Sequence, residues 1–123
     1  VTNPLDFSKG MPPSLALGYT DSAGETIQRM LPDSKVVKSF NIVGNPHMIH
    51  PDFTGGKPTM FICGNDKDAK KIVTNDILSK FGWETIDIGG IEGSRLLEPL
   101  ALLWILHYFR TGSGDHAFKL LRK

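Results

Sequence analysis

The segment Trp83–Tyr108, WETIDIGGIEGSRLLEPLALLWILHY, decides the fold. Its opening residues, with Thr85, Ile86 and Ile88, favour a strand because β-branched side chains fit the pleated backbone. Gly89 and Gly90 then punctuate the chain, and Leu96 to Phe109 is its most apolar run. A strand that feeds a glycine turn and then a helix is the unit from which α/β proteins build phosphate and dinucleotide sites. The dinucleotide fingerprint G-x-G-x-x-G needs its first Gly for the tight turn and its second for close approach to the pyrophosphate. Here Gly90 and Gly93 stand three apart, but Ile88 occupies the place of the first Gly. The turn therefore reads as a glycine-eased crossing that packs a core helix, rather than as a phosphate cradle.

Upstream, the same alternation repeats. Thr59 to Cys63 (TMFIC) is a continuous apolar run, as expected of a strand buried on both faces. After Gly64 and Asn65-Asp66, a helix is predicted from about Lys67 to Phe81, with Ala69, Ile72, Val73, Ile77 and Phe81 along its apolar face. Gly82 ends it. Lys35 to Phe40 (KVVKSF) reads as an earlier strand, followed by a loop from Asn41 to Asp52. Ser22-Ala-Gly-Glu25 has the form of a capping box, which starts a short helix ending before Pro32. Pro4, Pro12 and Pro13 forbid a long helix near the start, where Val-Thr-Asn-Pro has the character of a strand leaving a sheet. The pattern predicts an α/β fold: a partial, Rossmann-like parallel sheet over residues 1–90 and a helical packing segment over 91–123. Pro99 either kinks the last helix or begins it. His116 to Leu121 (HAFKLL) is apolar enough to dock back on the body.

The totals bound the function. A chain of 123 residues is about one small domain. Net charge +1 supplies no electrostatic footprint for nucleic acid, and the lysines at 67, 70 and 71 read as solvated surface among acidic neighbours. The apolar run 96–109 is interrupted by Glu98, Pro99 and His107 and falls short of a membrane span of about 20 residues. The one cysteine, Cys63, precludes an internal disulfide and suits a reducing cytoplasm. Within a strand it reads as inert packing.

The chemistry-bearing candidates sit on loops. Asn41-Ile42-Val43-Gly44 leaves the end of a predicted strand, where open α/β sheets place ligands. Asn41 either orients an amide or carbonyl of a ligand or caps its own loop, and Gly44 would let a flat ring approach the backbone. His47 and His50 have metal-ligand spacing but no third ligand, so no metal site is expected. His107 reads as a core or interface residue. His116 follows Gly112, Gly114 and Asp115 in a turn from which it could reach a ligand. Ser94 and Arg95 either receive an anion at a helix start, or serve as N-cap and ion-pair partner.

Taken together, VTNPL, SAGE, KVVKSFN, TMFICGND, DIGGIEGSRLLEPL and AFKLLRK resemble the later part of the NADP-binding oxidoreductase family that includes the NADPH-dependent reductases of the deazaflavin coenzyme. The blocks occur in order and with matching spacing over nearly the whole chain. The resemblance implies that Thr2, Asn3 and Pro4 line the nicotinamide end of a dinucleotide cleft, with Asn41 and Gly44. It implies that Asn41, Ile42 and Val43 lie between nicotinamide and acceptor, and that the tail with Asp115 and His116 closes over the acceptor. Family members carry a GxGxxG-bearing Rossmann half before these blocks, so the expected partners are that half, or a partner chain supplying it, and a second subunit in a homo-oligomer. The deazaflavin reductases carry His where this chain has Asn41, which is closer to NADP-binding relatives linked to flavin or ferric reduction. The implied activity is hydride transfer between NADPH and a flavin-like or deazaflavin acceptor. The alternative is a non-catalytic dinucleotide-fold module that binds a nucleotide or another chain.

Overall fold

A computed structural model describes residues Val1–Lys123. The elements follow in the order β1 (Leu5–Asp6), β2 (Ser14–Leu15), α1 (Ala23–Met30), β3 (Val37–Lys38), β4 (Thr59–Gly64), α2 (Lys67–Ile72), a π-helical segment (Val73–Leu78), α3 (Ser79–Phe81), β5 (Glu84–Asp87) and α4 (Ser94–Thr111). The first two strands form a small antiparallel hairpin, and the other three form one sheet in the order β3-β4-β5.

The strand Thr59–Gly64 is the middle of that sheet, and its burial explains its unbroken apolar sequence. Met60 and Ile62 pack into a cluster with Ile42, Leu78, Trp83 and Ala101, while Cys63 packs on another cluster with Ile91 and Leu97. Full burial of a side chain such as Ile62 or Leu78 contributes about 1.5–3 kcal/mol. β5 runs parallel to β4, with Thr59 opposite Glu84 and Ile62 opposite Asp87. The expected parallel arrangement holds for this pair, joined through α2 and α3. β3 departs from it: it is antiparallel to β4, pairs only Val37 with Gly64 and Lys38 with Cys63, and is shorter than KVVKSF suggests. Phe40 has φ +57°, so the backbone leaves the extended region there and the ladder cannot continue.

The capping box forms as its sequence predicts. The Ser22 hydroxyl accepts from the Glu25 N–H at 3.2 Å and donates to the Glu25 carboxylate at 2.7 Å. The helix from Lys67 begins at Asp66, whose side chain accepts from the Ala69 N–H at 2.8 Å, and ends on Gly82 in the left-handed region. Ile72, expected on the apolar face, is exposed, and Leu78 is buried instead.

At the glycine crossing, Gly89 has φ +112°, and a Cβ on Gly93 would lie 3.0 Å from Cβ of Cys63. The glycines allow the chain to turn and α4 to settle against β4. α4 begins at Ser94, which places Pro99 inside the helix. The tail docks back as expected: the Thr59 N–H donates to the Phe118 carbonyl at 2.9 Å, and the Leu120 N–H donates to the Thr59 hydroxyl at 3.0 Å. No helix is long and apolar enough to cross a membrane.

Candidate functional site

Two residues from opposite parts of the expected site meet directly. The Asn3 amide donates to the Asn41 carbonyl at 3.0 Å, and the Asn41 amide donates to Asn3 Oδ1 at 3.2 Å. Asn41 Nδ2 also donates to the Leu97 carbonyl at 2.8 Å, so both its protons are used. Asn41 therefore does not cap its own loop; it ties the N-terminal segment to α4. Its Oδ1 is buried and has no hydrogen-bond partner. A buried amide oxygen normally has a donor, and its absence costs about 1–3 kcal/mol. This oxygen is an acceptor that no donor of the chain satisfies.

Behind the asparagines lies a group that sequence reasoning missed. Lys38 and Glu98 are both buried and paired at 2.8 Å. Lys38 also donates to the Thr2 carbonyl, and reaches the Thr2 hydroxyl at 3.2 Å. Glu98 accepts from the N–H groups of Ala23 at 3.1 Å and Gly24 at 3.0 Å, at the start of α1, where a carboxylate complements the helix dipole. The only sequence signal for this pair is a Glu inside the most apolar run of the chain.

The loop after Asn41 forms one wall of a groove of about 380 Å³ lined by Gly44, Pro46, His47, Trp104, Tyr108 and Asp115, among others. Trp104 and Tyr108 are stacked on α4, with ring centroids 6.0 Å apart and planes 7° from parallel. The ring that Gly44 admits is the chain's own: a Cβ there would lie 3.4 Å from the Trp104 indole. His47 and Asp115 close one end at 2.8 Å, and this bond, with a smaller contribution from Ser113, holds the Asp115 carboxyl below the usual carboxylate range. His116 does not reach into the groove. It stacks on Trp104 at 4.4 Å between centroids and exchanges contacts with its backbone, the indole N–H donating to the His116 carbonyl at 3.0 Å. Ile42 and Val43, expected beside an acceptor, bury their side chains in the core. Thr2, Asn3 and Asn41 are brought together; Gly44 and Asp115 meet at the separate groove, which begins three residues further along the same loop.

The remaining candidates have structural partners. Arg95 pairs with Glu25 at 2.5 and 2.9 Å. Ser94 does not cap α4; its buried hydroxyl lies 3.3 Å from the Cys63 thiol, which burial pushes up in pKa. Lys70 is not solvated surface: it is buried against Asp87 and the Gly89 carbonyl, each at 3.0 Å. His107 is exposed beside His116, rather than in the core.

No family profile matches the chain. The F420-dependent NADP reductase of Methanocaldococcus jannaschii is 34% identical over 116 residues, which are 90% of this chain and 51% of that protein. Among solved structures, a candidate F420-dependent NADP-reductase from Arthrobacter sp. FB24 superposes with a TM-score of 0.89 at 41% identity, over 98% of this chain and 55% of that one. A hypothetical protein from Sinorhizobium meliloti superposes with a TM-score of 0.59 at 29% identity, over 75% of this chain and 43% of that one. The chain spans about half the length of these relatives. By sequence and by fold the chain is similar to the F420-dependent NADP reductases over about half of their length.

Proposed function

We propose that this chain forms the acceptor-side part of an NADP-dependent oxidoreductase, which passes hydride between NADPH and a deazaflavin or flavin-like acceptor. The observation that carries the reading is the Asn3–Asn41 pair, with its buried, unpartnered Asn41 Oδ1. The reduced nicotinamide supplies two electrons as a hydride, and the acceptor ring takes it together with one proton from solvent. Such a transfer asks the protein for orientation and exclusion of water rather than for a catalytic dyad. Asn41 orients the amide of the nicotinamide, and Thr2, Asn3 and Pro4 support that ring from the N-terminal segment. The groove between Gly44, Trp104 and Asp115 holds the acceptor's polar periphery. Contacts to the dinucleotide phosphates come from a companion Rossmann half, and the outer side of α4 packs on a second subunit.

The test is NADPH oxidation by the full-length protein that carries this chain, with a deazaflavin and with a flavin as acceptors. Turnover with either is expected, and Asn41→Ala should reduce kcat/KM about tenfold or more, the loss of one orienting hydrogen bond in a dry site. Tight NADPH binding with no transfer to either acceptor would instead identify a binding module.

A further inference from the structure

The cluster Thr2, Asn3 and Asn41 has little secondary structure of its own. Residues 1–4 precede the first strand, and Asn41 lies in the loop after β3. Their mutual position is set from α4. Leu97 holds the Asn41 amide through its carbonyl at 2.8 Å, and the next residue, Glu98, holds Lys38 at 2.8 Å. Lys38 in turn takes the carbonyl and the hydroxyl of Thr2, so its three N–H protons are fully used. Glu98 cannot swing away, because the Ala23 and Gly24 N–H groups grip its two oxygens. Adjacent residues of one helix thus fix both ends of the Asn3–Asn41 contact.

We propose that Lys38 and Glu98 are positioning residues, which set the spacing of Thr2–Asn3 and Asn41 for the hydride-transfer site; the inference rests on the functional reading above. The start of α1 accounts for the Glu98 carboxylate, but packing alone does not call for a buried lysine beside it. A buried ion pair is often replaceable by apolar residues of similar volume with no loss of stability, whereas removing one partner is strongly destabilising. An apolar pair would fill the same space, but it has nothing with which to hold the Thr2 carbonyl and hydroxyl.

The full-length protein carrying Lys38→Met with Glu98→Leu separates the two roles. Lys38→Met alone should lower Tm most, and the double variant should recover part of that loss, the remainder reflecting the Ala23 and Gly24 N–H groups left without an acceptor. If the pair positions the cluster, kcat for NADPH oxidation in the double variant stays about tenfold or more below wild type, while KM for NADPH changes by less than about threefold. A second readout does not depend on activity. The side-chain amide protons of Asn3 and Asn41, followed by NMR, should exchange about tenfold faster in the double variant while the α4 backbone amides keep their protection. Wild-type kcat and wild-type amide exchange in a folded double variant would reduce the pair to a structural role and overturn the proposal. A wild-type protein without hydride transfer would end the functional reading, yet the exchange rates would still decide whether the pair positions the asparagines. Should the double variant not fold, Glu98→Gln, which keeps the volume and loses the charge, is scored by the same exchange measurement, with unchanged exchange counting against the proposal.

Discussion

At the scale of single residues, α1 and α4 meet with no room to spare at Gly24. A Cβ on Gly24 would come within 2.0 Å of Ser94 Oγ and 2.8 Å of Ser94 Cβ. Gly24→Ala must therefore push the helices apart and stretch the bond from its N–H to Glu98, at an expected cost of about 1–3 kcal/mol in urea unfolding. Gly55, with nothing near its missing side chain, is the control, and Gly55→Ala should shift stability by no more than about 0.5 kcal/mol. The same junction carries a pH dependence. The Arg95 guanidinium bonded to Glu25 holds that carboxyl below the usual range. A carboxylate whose folded pKa is depressed adds stability above its unfolded pKa, and that contribution is lost as pH falls through the folded value. Arg95→Met should thus be less stable than wild type at neutral pH, and the gap should close on acidification through the carboxylate range. A gap in Tm that stays constant from pH 7 to pH 3 would remove Glu25 as its source.

At the scale of elements, the helix after β4 shows what the sequence conveys and what it conceals. Its existence, its Asp66 start and its Gly82 end are legible because caps are local chemistry. Ile72 departs from the apolar face that the spacing predicts. Ala69, Val73, Ile77 and Phe81 recur every four residues. In a regular α-helix of 3.6 residues per turn, that stride drifts by about 40° each step. The wider π segment, Val73–Leu78, takes up the drift and keeps Val73 and Leu78 on the core. The four-residue stride was there to read. Deleting the exposed Asn75 should return a regular α-helix and bring a changed set of side chains to the core, so we expect a lower Tm with undiminished helical circular dichroism. An unchanged Tm would mean that the π segment is incidental to packing. β3 is the opposite case. Its apolar residues announce a strand, but its direction depends on which neighbour it meets, and only the positive φ at Phe40 stops it. Likewise Asn3 and Asn41 were recognisable one by one, while their contact across 38 residues of sequence belongs to tertiary structure alone.

At the scale of the molecule, α4 is covered on one side only. Leu97, Glu98 and Ala101 are buried, while Leu96 is 71% exposed and Leu103 57% exposed. Apolar side chains aligned along a helix in this way are expected to meet another surface. Light scattering should report self-association of the full-length protein, and Leu96→Lys with Leu103→Lys should return a monomer; a monodisperse wild-type monomer with a sharp thermal transition would remove the oligomer from the proposal. The docked tail has a different consequence, which concerns synthesis. A ribosome that has made the chain as far as Thr111 has already supplied every strand and helix. The Thr59 N–H, at the first residue of the central strand, still awaits the Phe118 carbonyl, and its hydroxyl still awaits Leu120. A nascent chain stalled between these points exposes the start of its most apolar strand, and a chaperone that reads such strands would find its target there until Phe118 and Leu120 emerge.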